Sequence, residues 1–111
     1  MLVKAGQIYF VKNAKLGKAN YARPCLVLRV NATSAHVTYF STKIELCRSI
    51  DLIIYDSDPG FTESGLQETS CLIADRDISV DLSVFKHAKF MGQLAHVVKN
   101  RIENWWGEAM G

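Results

Sequence analysis

For most of its length the chain alternates short apolar runs with polar turns, and it changes to a helical period only near its end. Gln7–Lys12 (QIYFVK) is aromatic and β-branched and predicts a first strand. Residues 13–22 form a polar connection around Gly17, long for a hairpin loop and of a kind that often carries function. Residues 24–30 (PCLVLRV) predict a second strand, whose nearly continuous apolar run implies burial on both faces apart from Arg29. After the turn cluster Asn31-Ala32-Thr33-Ser34, residues 35–41 (AHVTYFS) predict a third strand that runs without a clear break into 42–46. Residues 50–55 predict a fourth strand, 70–74 (SCLIA) a fifth and 89–91 a sixth, with the clearest loop at Asp56-Ser57-Asp58-Pro59-Gly60.

The last element follows a different period. Leu94, Val97, Val98, Ile102 and Trp105 share one face of a 3.6-residue repeat, which predicts an amphipathic helix stopped by Gly107. Such a helix is unstable alone and must lay its apolar stripe on the strands. Short strands followed by one helix predict a small, strongly bent antiparallel sheet or barrel.

Length and composition narrow the class. The 111 residues suit one domain spanning 1–111, and 49% hydrophobic content is that of a globular chain. No apolar run approaches the roughly 20 residues that span a bilayer. The first residues show no apolar stretch of signal-peptide length, so a cytoplasmic location is expected. Cys25, Cys47 and Cys71 are odd in number and lack metal-type spacing. With Cys25 and Cys71 inside apolar runs, they are expected to be buried thiols in a reducing compartment.

Charge is unevenly distributed. Residues 1–44 hold seven basic groups, Lys4, Lys12, Lys15, Lys18, Arg23, Arg29 and Lys43, and no acids. Residues 45–85 hold nine acids against Arg48 and Arg76. A polyanion would suit the basic part, and folding could equally intermix the charges on one surface. No Gly-rich phosphate loop, nucleophile elbow or zinc-protease helix motif occurs. His36, His87 and His96 are scattered, so neither a metal site nor a cofactor is expected. Asp56 and Asp58 adjoin Pro59-Gly60 and read as turn residues.

Several segments resemble, in order, the MazF/PemK toxins. Gly6-Gln7-Ile8-Tyr9-Phe10-Val11 is similar to the family's G-[DE]-[IV]-[WY]-x-[VA] opening, and Arg23-Pro24-Cys25-Leu26-Val27-Leu28 to its R-P-x-L-V-[VIL] strand. Phe40-Ser41-Thr42 falls at the P-[IV]-T-S element. Gly65-Leu66 with Ser70-Cys71-Leu72-Ile73-Ala74-Asp75 is similar to G-L-x-x-x-S-V-[IV]-x-x-[DE], and Ile78-Ser79-Val80-Asp81 trails it like R-T-[IV]-D. Met91-Gly92-Gln93-Leu94 resembles the I-G-x-L that introduces the last helix. The resemblance covers nearly the whole chain. It implies an SH3-like or CcdB-like barrel of five to seven antiparallel strands closed by the C-terminal helix. It also implies a cytoplasmic homodimer that cleaves single-stranded mRNA without a metal and is neutralised by a cognate antitoxin.

Carried over position by position, the resemblance assigns catalysis to Arg23, Thr42 and Asp75. Arg23 would grip phosphate oxygens with its planar fork, Thr42 would hydrogen-bond the scissile phosphate, and Asp75 would orient Arg23 or act as base. RNA contacts fall to Lys15, Lys18, Tyr21, Ser41 and Arg76; Lys18 suits a phosphate contact better than a general base. Tyr9 and Phe40 are further stacking candidates, although strand aromatics more often belong to the core. Two positions depart from the family. Ile73 stands where some PemK-like members carry a catalytic arginine, and Ile78 replaces the arginine of R-T-[IV]-D. A non-enzymatic interaction protein of the same fold, degenerate or CcdB-like, and a plain nucleic-acid-binding barrel are the alternatives.

Overall fold

The computed structural model describes residues 2–12, 22–74, 78–94 and 104. Seven strands form among them: β1 (Gln7–Lys12), β2 (Ala22–Val30), β3 (Ser34–Ser41), β4 (Leu52–Ile54), β5 (Ser70–Leu72), β6 (Ile78–Asp81) and β7 (Lys89–Gln93). A single helical turn, α1 (Phe61–Ser64), and two 3₁₀ turns, Ile44–Leu46 and Leu82–Lys86, complete the described elements. All the strand pairings are antiparallel, in the order β4-β5-β3-β2-β1-β7, with β6 also on β3. The sheet curls because β3 divides its outer edge: Ser34 to Val37 pair with β6, whereas Phe40 and Ser41 pair with β5. The result is a mainly β half-barrel.

Period-2 alternation explains how both faces of the middle strands are buried. Ile8, Leu26, Phe40, Ile54, Leu66, Leu72 and Leu94 meet in one cluster. Tyr9, Val11, Cys25, Val27, Ala35, Val37, Val80 and Phe85 meet in another. Adjacent residues of β1 and β2 therefore serve opposite cores, which accounts for the unbroken apolar run in β2, and Arg29 is exposed as expected. Tyr9 and Phe40 are core residues, not base-stacking surfaces.

Strand ends differ from the sequence expectation where polar side chains capture the backbone. β3 stops at Ser41 instead of continuing through 42–46, because Ser41 Oγ accepts the Lys43 N–H at 3.2 Å and the Thr42 carbonyl accepts the Ile44 N–H at 2.9 Å. β4 ends before Tyr55, whose N–H donates to the Asp58 carboxylate at 2.8 Å. β6 and α1 were not expected as elements. The closing helix lies outside the described residues apart from Asn104, which is helical. Leu94, the first position of its apolar stripe, is buried, and its N–H donates to the Gly6 carbonyl at 3.0 Å.

The cysteine expectation is corrected. Cys25 is a buried free thiol, but Cys47 and Cys71 are joined in a disulfide with Cα atoms 5.9 Å apart. Their 24-residue separation conceals the pairing, because only the β3-β5-β4 arrangement brings Cys71 beside the turn that ends at Cys47. No helix among the described residues is long and apolar enough to cross a membrane.

Candidate functional site

The site residues that can be placed gather where β2 begins and β3 ends. Pairing of Cys25 with Tyr39, Leu26 with Thr38 and Val27 with Val37 carries Arg23, two residues further along, toward the position opposite Ser41. On its other side Arg23 pairs with Val11 of β1. Arg23 is thus held between two neighbours, each roughly 5 Å away across the sheet.

The guanidinium lies over the ring of Tyr39, with Cζ 4.6 Å from the ring centroid. That contact uses the electron-rich face of the ring and none of the five N–H donors. Arg23 Nε is buried and has no hydrogen-bond partner among the described residues. An unmade bond to a buried charged donor costs on the order of 1–3 kcal/mol, so this nitrogen favours an arriving anion. Cys25 steadies the backbone here by donating its thiol to the Arg23 carbonyl at 3.3 Å. Burial pushes the Cys25 thiol up to about 12, against the pull of the Arg23 charge and a hydrogen bond with the Val11 backbone. A thiol so rarely ionised is no nucleophile.

Ser41 is half-buried and Thr42 is exposed. Ser41 pairs with Cys71 and spends its oxygen on the Lys43 turn, whereas Thr42 lies just beyond the last paired residue. Strand alternation therefore does not hold Thr42 to the face opposite Arg23. The structure brings Arg23, Ser41 and Thr42 to one end of the sheet.

The chain enters Asp75 from a firmly held strand. The Thr38 hydroxyl donates to the Ile73 carbonyl at 2.6 Å, and the Ile73 N–H donates to the Tyr39 carbonyl at 3.2 Å. The Ala74 N–H donates to Asp51 at 2.9 Å. Asp75 and Arg76 themselves, like Lys15, Lys18 and Tyr21, lie outside the described residues. Ile73 and Ile78 are half-buried, and Ile78 packs against the Val37 cluster, so both positions contribute apolar surface.

Two participants were missed in the sequence. Tyr39 is the platform for Arg23, and only the strand register could have revealed it. Asp51 anchors Ala74 and forms an ion pair with Arg48, with Nη2 3.0 Å from Oδ1. Burial would raise the Asp51 pKa, but hydrogen bonds from the Arg48 side chain and from the Ala74 and Arg48 N–H groups outweigh it and hold the carboxyl below its usual range. The spacing Arg48-x-x-Asp51 was the available signal.

No protein-family model matches the chain, and no curated protein matches it.

Proposed function

We propose that this chain is a metal-independent endoribonuclease of the MazF/PemK type, folded as an SH3-like barrel closed by its terminal helix and acting on single-stranded mRNA in the cytoplasm. The observation that carries this reading is Arg23, stacked on Tyr39 with a buried Nε that has no hydrogen-bond partner among the described residues, at the end of the sheet where β3 reaches Ser41. It is a preorganised anion receptor next to exposed hydroxyl chemistry, which is what phosphodiester cleavage needs.

RNA supplies its own nucleophile. The 2′-oxygen loses its proton and forms a bond to the adjacent phosphorus, while the bond from phosphorus to the 5′-oxygen breaks and that oxygen gains a proton. The products are a 2′,3′-cyclic phosphate and a 5′-hydroxyl. Arg23 would neutralise charge growing on the phosphoryl oxygens, and Thr42 would donate a hydrogen bond to the same group. Asp75 would take the proton or orient Arg23. Lys15, Lys18, Tyr21, Ser41 and Arg76 would line the RNA path. A homodimer would complete the groove, and a cognate antitoxin would occlude it.

Incubation with single-stranded RNA in EDTA tests the reading. Wild type is expected to cleave, leaving cyclic-phosphate ends, and Arg23→Ala to lose at least about a hundredfold in rate. Intact RNA after long incubation with folded wild type would sink it. Sedimentation is expected to give a dimer at micromolar concentration, and a monomer there would contradict the groove.

The second reading is a non-enzymatic, CcdB-like interaction protein of the same fold. Its support is the half-buried, apolar character of Ile73 and Ile78. RNA that is neither bound nor cut by a dimeric chain would favour it.

A further inference from the structure

Away from Arg23, the side chains of Cys47, Asp51 and Cys71 converge, with their sulfur and carboxylate atoms within 4.8 Å of one another. Such a trio suggests a metal site, but the hydrogen bonding argues otherwise. Asp51 Oδ2 accepts the Arg48 N–H at 2.9 Å and Nε–H at 3.0 Å. Oδ1 accepts Arg48 Nη2–H at 3.0 Å and the Ala74 N–H at 2.9 Å. A carboxylate offers about four lone-pair sites, and all are taken. The two sulfurs are bonded to each other. The trio is a fastening, and it joins the loop at residues 47–51 to β5.

What it fastens contains no fully buried residue from 42 to 50. Residues 42–50 are exposed except for half-buried Cys47, and the 3₁₀ turn Ile44–Leu46 contains no buried residue. Apolar burial therefore does little to hold this segment in place. Its start adjoins Ser41, which pairs with Cys71 itself. The disulfide thus ties together the two sides of the Thr42 shoulder.

Of the two fastenings, only the disulfide responds to redox chemistry. Cys71 is fully buried, so an incoming thiolate reaches the bond at Cys47. We infer that the Cys47–Cys71 disulfide is a redox latch on residues 42–51, opened by a dithiol reductant and closed by a disulfide oxidant. One reductant thiolate attacks Cys47 Sγ, the Cys47–Cys71 bond breaks, and Cys71 leaves with the electron pair and takes a proton. The second reductant thiol then attacks the mixed disulfide, releasing Cys47 as a thiol and the reductant as its own disulfide. In a reducing compartment a disulfide is a transient element, as a latch must be. The latch stands on its own geometry; its effect on RNA cleavage, through Thr42, rests on the ribonuclease reading.

Trypsin tests it on the full chain, because Lys43 and Arg48 lie in the latched segment and Lys86 and Lys89 lie outside it. The protein is compared after dithiothreitol and after oxidised glutathione, with fragments identified by mass. Reduction is expected to speed cutting after Lys43 and Arg48 by roughly tenfold more than after Lys86 and Lys89, because the opening is local. Re-oxidation restores the slow rate, and Cys47→Ser is cut fast in both conditions. Equal rates at Lys43 and Arg48 in the two states overturn the latch, as does equal acceleration at all four sites, which would mean global unfolding. RNA cleavage is expected to fall several-fold on reduction. Altered trypsin cutting with unchanged RNA cleavage removes the link to the site. Altered cutting with no RNA cleavage in either state supports the latch and overturns the ribonuclease reading.

Discussion

Asp51 and Arg23 are opposite solutions to the cost of placing charge beside a core. Asp51 has every lone pair matched by a donor, so it is structural. Arg23 keeps a buried donor without a partner among the described residues, the feature on which the proposed anion contact rests. The Asp51 reading has a pH consequence. Its folded pKa lies below the ordinary value of about 3.9, so its contribution is fully present above that pH and drains away as pH falls toward the folded value. Urea titrations of wild type and Asp51→Ala are expected to differ by about 3 kcal/mol at pH 7, because the change strands the Arg48 and Ala74 donors. The difference should shrink on acidification below about pH 4. Asp81 is also depressed, chiefly by its hydrogen bonds from the Ser83 N–H and hydroxyl, but it is present in both proteins and cancels.

Among the elements, the register of β2 on β3 decides the site. Near the turn, Val30 faces Ala35 and Arg29 faces His36; past the irregularity at Leu28, Val27 faces Val37. Counted regularly from the turn, Arg23 would come opposite Thr42 and share a face with Phe40. The extra residue turns it to the face of Tyr39 and Ser41 instead, since a one-residue slip reverses every side chain. The contact between α1 and β7 is equally demanding. A Cβ on Gly92 would overlap the Glu63 carbonyl oxygen and the Ser64 backbone. Gly92→Ala is therefore expected to destabilise the fold by about 2 kcal/mol, measured by chemical denaturation. Wild-type stability in that variant would show that α1 yields freely.

Across the whole molecule, the disulfide closes a long loop on a small curled sheet. With a sequence separation of 24 it restricts the unfolded chain by roughly 3–4 kcal/mol on the loop-entropy account. Reduction is therefore expected to lower the melting temperature by about 10 °C or more while the two cores stay folded. Calorimetry with and without dithiothreitol measures this, and an unchanged transition would mean that the reduced chain keeps the same constraints by other means. The same bond makes the acidic middle of the chain and its apolar β5 strand one mechanical unit.

The sequence by itself determined what depends on neighbours along the chain. Residues 24–30 announce a doubly buried strand, although it begins two residues earlier, at Ala22. The turn at 31–34 and the polar stops around Asp56 and Asp58 were visible because Gly, Pro, Asn, Asp and Ser act locally on the backbone. Residues 42–46 resemble strand in their apolar content, but the Ser41 hydroxyl that turns the chain competes for the backbone at short range. Tertiary structure alone decided what depends on register and on closure. It joined Cys47 to Cys71, set Arg23 on Tyr39 and closed four donors around Asp51. A single bulge at Leu28 and a strand returning beside β3 made those contacts, and neither leaves a periodic trace in the sequence.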